Sequence, residues 1–289
     1  MPVESMIASY PANEKVMKSE KELSFAKYSG AGNDFILIDN RSPHELNWPL
    51  IAKQLCHRKE GIGADGLILL ELSDRASFRL RFFNSDGSEA EMCGNGARTA
   101  VHFAASLGIQ TKNFYTLQTK ERILEARLKD QGIEISLGEV LDIQWHEEIE
   151  LNGQPWRFAY LNTGVPHVVH FASDIESFPL LAIGSMIRHH EAFKPNGTNF
   201  NVVKLHHTHI EVRTFERGVE DETLACGTGV AASALAASVL HGLKSPIQVH
   251  VKSGDILEVN FTLHHKKPQK LTLLGPVKRL FDGVFTLSV

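Results

Sequence analysis

Cysteine is scarce in this chain of 289 residues. Three cysteines, an odd number, argue against a disulfide framework and for a reducing compartment. A chain of this length buries roughly 70–75% of the surface its unfolded form exposes, so it needs no metal or disulfide to stay folded. Charge of one sign is lacking as well: 30 Lys and Arg stand against 34 Asp and Glu, with no long basic run. The electrostatic footprint of a nucleic-acid binder is therefore missing. Long apolar runs are few. Thr223 to Leu243 holds 21 residues without Asp, Glu, Lys or Arg, but its Ala, Ser and Gly are too small and polar for a lipid-facing span. A helix apolar all round fits a protein core, which excludes a membrane partner. Residues 1–23 mix Glu with Lys and carry no apolar stretch of about seven residues, so they read as a flexible extension and not as a secretory signal. No C-x-x-C or H-E-x-x-H spacing occurs, and no metal centre is expected. The pairs His189-His190, His206-His207 and His264-His265 sit in polar stretches and read as surface.

What is present is a repeat. CGNG at Cys93–Gly96 and CGTG at Cys226–Gly229 lie 133 residues apart, each followed by small and apolar residues at helical density. The same offset carries SGAGNDFILI (29–38) onto NTGVPHVVHF (162–171), and GADGLILLE (63–71) onto NGTNFNVVK (196–204). It also carries FRLRFF (78–83) onto EVRTFE (211–216) and Glu89 onto Glu222, with no gap. The expectation is two duplicated halves facing each other, residues 24–138 and 139–275, with the site in the cleft between them. The tail 276–289 would return as a strand to complete the first half's sheet.

Runs such as FILID, LILLE, FRLRFF, IEISL, VVKL, HIEVRTF, IQVHV, ILEVNFTL and KLTLL are short, rich in β-branched and aromatic residues, and bounded by turn residues. Helices are expected after each Cys-Gly motif, with shorter ones around LIAKQLCHR and LAIGSMIRHH. The fold class is α+β: two pseudo-symmetric, barrel-like, mostly antiparallel sheets, each wrapped around a central helix.

Glycines at a strand-to-helix turn let a small ligand approach the backbone. The first N–H groups of the helix lack intrahelical partners and carry the positive end of its dipole, so a carboxylate is the natural guest. A cysteine there should be more acidic than a free thiol. Two such units closed on each other would aim Cys93 and Cys226 at one α-carbon from opposite sides. One thiolate would remove the proton and the other thiol would return one, inverting the centre. Cys56 lacks the glycine context and reads as structural.

At these residues the chain resembles the diaminopimelate epimerase family. The motifs are SGAGNDF, GIGADGLI, FFNSDGSEAEMCGNGAR, TGVPH, TNF and ERGVEDETLACGTG, and the resemblance spans Phe25 to the C-terminus. It implies an isomerase interconverting LL- and meso-2,6-diaminopimelate without pyridoxal phosphate, metal or nucleotide, in cytoplasmic lysine and cell-wall precursor synthesis. It implies Cys93 and Cys226 as the acid/base pair, and Gly94, Asn95, Gly227 and Thr228 around the reacting carboxylate. Asn33, Asn84, Asn199 and Arg217 would bind the remaining polar groups, the planar fork of Arg217 suiting a distal carboxylate. Glu216 and His167 would tune the thiols; taken alone, they read as a strand-end charge and a loop histidine after a proline. His167 lies 133 residues after Asp34, which suggests that Asp34 assists around Cys226 as His167 does around Cys93.

Two departures stand out. Many family members have Asp-Gln where this chain has Asp65-Gly66, and Gly-Asn-Pro-His where it has Gly164-Val165-Pro166-His167. Each removes an amide that could contact substrate, leaving substrate breadth open. The rivals are a racemase or epimerase of another amino acid, and a non-catalytic amino-acid-binding or redox-sensing protein whose two cysteines form a reversible disulfide. A cysteine hydrolase would leave the second thiol unexplained. The sequence leaves a homodimer open.

Overall fold

The computed structural model describes residues 20–90, 93–109, 112–120 and 122–288. Most of the expected N-terminal extension lies outside them. Its last four residues, Glu20 to Leu23, belong to the first described strand.

The first set of elements comprises β1 (Glu20–Gly30), β2 (Asn33–Asp39), α1 (Trp48–Cys56), β3 (Gly66–Glu71), β4 (Phe78–Asn84) and β5 (Glu89–Ala90). It continues with α2 (Gly94–Ser106), β6 (Phe114–Gln118), β7 (Ile123–Lys129) and β8 (Gly132–Ser136). The second comprises β9 (Leu141–Leu151), β10 (Gln154–Asn162), β11 (Pro166–Phe171), α3 (Leu180–Arg188), β12 (Asn199–Leu205), β13 (His209–Glu216) and β14 (Asp221–Thr223). It continues with α4 (Gly227–His241), β15 (Ile247–Val251), β16 (Ile256–His264) and β17 (Lys267–Gly275), and β18 (Lys278–Ser288) ends the chain.

The strands pair in two equivalent series. One runs β18-β1-β2-β3-β4-β6-β7-β8 and the other β9-β10-β11-β12-β13-β15-β16-β17. The two series meet where β8 pairs antiparallel with β17, Ile135 opposite Leu273. β18 returns to β1 as expected, while β9, which no run in the sequence singled out, takes the equivalent edge beside β10. The 133-residue spacing extends to two strands the sequence reading left out, β6 and β7: they begin at Phe114 and Ile123, and β15 and β16 begin at Ile247 and Ile256. The parallel pairs Phe78↔Leu117 and Glu211↔His250 obey it too.

Pairing register breaks it in several places. β2 pairs Asp34 with Ser29 and Phe35 with Gly66, whereas β11 pairs Pro166 with Asn162 and His167 with Asn199, so His167 takes the place of Phe35 and not of Asp34. β3 pairs Leu67 with Phe83, and β12 pairs Phe200 with Phe215. Phe215 thus takes the place of Phe83 one residue short of the constant spacing, and the gapless repeat does not hold through β13. The next residues, Asn84 and Glu216, become equivalent.

β3 shows why a continuous apolar run forms a strand here. Ile68 and Leu70 face α2, while Leu67 and Leu69 face α1, so both faces are buried and alternation disappears from the sequence. α1 is started by Asn47, whose side chain accepts from the Leu50 N–H, with proline in the first turn. On α4, the run Gly229–Ala237 is buried throughout, as its small residues require for packing inside strands on all sides. Gly242 ends it in the left-handed conformation. α2 and α4 share one apolar core with residues from both series, including Ala100, Val101, Ala234 and Leu235. Among the described residues no helix is long and apolar enough to cross a membrane.

Candidate active site

α2 and α4 both begin at a cavity of about 1140 Å³, and Cys93 and Cys226 line it together. Each cysteine is the extended residue that caps its helix. Cys93 Sγ accepts from the Gly96 N–H at 3.4 Å, and Cys226 Sγ lies 3.5 Å from the Thr228 hydroxyl. Gly94, Asn95, Gly227 and Thr228 also line the cavity, so free N–H groups of both helix starts are at hand for an anion. Asn33, Asn84, Glu216 and Arg217 complete the wall.

Three expected site residues stand behind that wall. Asn199 is buried, and its Oδ1 accepts from the Arg217 N–H at 2.8 Å, so it holds the β13 end and does not face the cavity. Asp34 is bound by Lys27 and Arg58, each at 2.8 Å. Burial would raise its carboxyl, but the hydrogen bonds and charges of Arg58 and Lys27 outweigh it and hold Asp34 below the usual carboxylate range. His167 is fully buried, with Nε2 2.9 Å from Thr228 Oγ1. His167 therefore lies on the Cys226 side and not beside Cys93 as expected, and Asp34 belongs to an ion network in the first strand series. Strands β2 and β11 each reach their own half's helix, and the expectation had crossed them over.

Asn201, which the sequence reading passed over, fixes His167. Thr214 Oγ1 donates to Asn201 Oδ1 at 2.9 Å, so the amide nitrogen donates to Val168 O at 2.9 Å and to His167 Nδ1 at 3.1 Å. The proton of the neutral ring then sits on Nε2, which donates to Thr228 Oγ1 and leaves the threonine hydroxyl to donate toward Cys226 Sγ. Burial pushes His167 down to about 3, with Arg217 assisting, so the ring is neutral at physiological pH. The signal for Asn201 was an amide at a buried position of an otherwise apolar strand.

Arg98 was quoted only as part of a motif. It is fully buried on α2; its Nη2 donates to Asn95 Oδ1 at 2.6 Å, and Asn95 Nδ2 donates to Asn33 Oδ1 at 2.7 Å. Asn95 is thus held from both sides. Arg98 itself is pushed down to about 10 by burial, with Nε and Nη1 lacking a partner among the described residues.

The acidic thiols expected at the helix starts are not found. Burial pushes Cys226 up to about 12, and the Glu216 charge adds to it. Burial also raises Cys93, against the Gly96 N–H, with Glu216 again raising it. Glu216 itself is raised by burial. Withdrawal from water outweighs the helix dipole here. Around the rim the cavity is lined by charges of both signs, Arg58, Arg122 and Arg217 with Asp65, Glu139 and Glu222. Val165 lines it, whereas Gly66 lies behind, its Cα hydrogen against the Phe82 ring, where a Cβ would come within 2.3 Å.

Residues 25–141 and 159–280 match the model of the family described as diaminopimelate epimerase. A diaminopimelate epimerase of Aquifex aeolicus is 38% identical over 90% of this chain and 97% of its own length. One from Chlorobaculum tepidum is 38% identical over 90% of this chain and the whole of its own. A PhzF-family phenazine biosynthesis protein from Bacillus anthracis superposes with a TM-score of 0.70 at 15% identity, covering 92% of this chain and 99% of the other. A hydroxyproline epimerase from Agrobacterium vitis, solved with trans-4-hydroxy-L-proline, does so at 0.67 and 13% identity over 93% of each chain.

Proposed function

From the premise that this chain belongs to the diaminopimelate epimerase family and is an isomerase, an amino-acid epimerase, we propose that it interconverts LL- and meso-2,6-diaminopimelate by proton transfer between two cysteines. The observation that carries this reading is that the cysteine caps of two symmetry-related helices line one cavity. The α-carboxylate is held by the N–H groups of Gly94-Asn95 and Gly227-Thr228, which stabilise it as the α-proton leaves. One of Cys93 and Cys226 is the thiolate base and the other the thiol acid, with the roles exchanged in the reverse direction.

Thiols raised by burial fit this division of labour: a site that holds one charge does not readily hold two. Substrate carrying an ammonium and a carboxylate at each end matches a rim with cations and anions interspersed. Arg217 takes the distal carboxylate, and Asn33 and Asn84 take the other polar groups. Asn199, His167 and Asp34 act through neighbours: Asn199 on Arg217, His167 through Thr228 on Cys226, and Asp34 through Arg58 and Asp65. The two halves, 24–138 with the returning strand 276–289 and 139–275, close over the substrate and exclude water from the carbanion-like state. The product serves lysine and peptidoglycan precursor synthesis.

The test is incubation of LL-diaminopimelate with reduced protein, followed by chiral separation. Appearance of the meso isomer, lost in Cys93→Ala and in Cys226→Ala, supports the reading. Inversion of another amino acid alone would keep the cysteine pair and overturn the assignment of the rim.

A further inference from the structure

At the end of β13 remote from the cavity, His209 and Glu211 are two residues apart on one strand face, and the turn bond from His206 N to His209 O folds His206 over them. His206 Nε2 is 2.6 Å from Glu211 Oε1, and one ligand atom from each of the three residues lies within 4.8 Å of the others. On the next strand His250 is in register with Glu211, its ring stacked 4.4 Å from that of His209, which itself stacks 4.3 Å from His206. We propose that His206, His209 and Glu211 bind one divalent transition-metal ion of the zinc class.

The donor set decides the class. Two imidazoles and one carboxylate suit zinc, cobalt or nickel, whereas magnesium and calcium take oxygen donors. Zinc ligand atoms stand about 3.3 Å from one another at tetrahedral geometry, so small side-chain rotations close the set. A fourth position is left for water or for His250. The histidines are half-buried, and His206 Nε2 itself is withdrawn from solvent against Glu211. The sequence reading had placed His206-His207 on the surface; His207 is exposed, but the hairpin turns His206 inward to Glu211. Glu216 lies five positions after Glu211 along β13, about 17 Å of strand, so the ion would clamp the β12–β13 hairpin without entering the cavity.

The experiment is a calorimetric titration of the full chain with zinc chloride. A Cys93→Ser/Cys226→Ser background removes the thiols as competing ligands. One zinc per chain is expected, weakened about a hundredfold or more by adding His206→Ala and His209→Ala, because two of three ligands are lost. In the unmodified chain, one equivalent of zinc should shift the His206 and His209 ring resonances and raise the melting temperature, and the histidine variant should abolish that rise. Zinc binding unchanged by the histidine substitutions, or ring resonances that do not move, would overturn the proposal.

Discussion

His167 Nε2 stands 2.9 Å from Thr228 Oγ1, and the same hydroxyl is 3.5 Å from Cys226 Sγ. One threonine therefore links a fully buried, neutral ring to one of the two thiols. Cys93 accepts from the Gly96 N–H, and its motif carries Asn95 where the second carries Thr228. The two halves share a fold but support their sulfurs differently.

Replacement of Asn201 by aspartate tests the chain of hydrogen bonds behind that threonine. A carboxylate beside His167 Nδ1 favours a proton there and withdraws the Nε2 donor from Thr228. We expect kcat to fall on the order of tenfold, the worth of one hydrogen bond in the transition state, with KM little changed. Equal kcat in the variant and the parent would remove Asn201 from the mechanism.

Burial of His167 has a consequence for stability. Its pKa is depressed from 6.5 to about 3, so the unfolded state binds the proton first. The stabilisation is present above pH 6.5 and is lost as pH falls toward about 3, at most about 5 kcal/mol in all. Urea midpoints measured across this window should fall less steeply in His167→Gln than in the parent. Parallel slopes would contradict a neutral buried ring.

Glu216 raises both thiols by its charge. Glu216→Gln should lower them, moving the ascending limb of the kcat/KM profile toward lower pH, with kcat reduced. A profile that keeps its position would show that the carboxyl is protonated over that range or screened from the sulfurs.

Two glycines should respond differently to alanine. A Cβ on Gly229 would come 2.3 Å from Asn201 Oδ1, whereas among the described residues one on Gly94 meets only Ile135 at 3.6 Å. Gly229→Ala is expected to displace the His167 network and destabilise the protein by about 1–3 kcal/mol. Gly94→Ala should fold normally and weaken substrate binding, because its methyl stands where a carboxylate would approach the helix start. Circular dichroism melts with KM values separate the two effects.

The repeat was legible because duplicated strands keep their spacing even where identity has faded: the offset between two Cys-Gly motifs also locates β7 and β16. Particular residues show where legibility stops. β9 carries LDIQWHEEIEL, with half-exposed positions alternating with exposed ones, so it lacks the apolar contrast that marks a strand. The slip at Phe215 shows only in pairing register, since the residue is regained before Cys226. Cys93 and Cys226 were identified as the chemical pair, but their raised pKa values depend on how completely the two halves withdraw them from water. Asn201 acts through His167 and Val168 far along the chain, and Arg98 through the orientation it gives Asn95 inside the core; single-sequence patterns record neither.

The most direct measurement is deuterium incorporation during the first few per cent of conversion of LL-diaminopimelate in deuterated water. Proton delivery by a second thiol requires the new α-hydrogen of the meso product to come from solvent, while unreacted LL substrate keeps its protium. Product retaining the substrate's own hydrogen would mean that one group both removes and returns it, and the division of roles between Cys93 and Cys226 would fall.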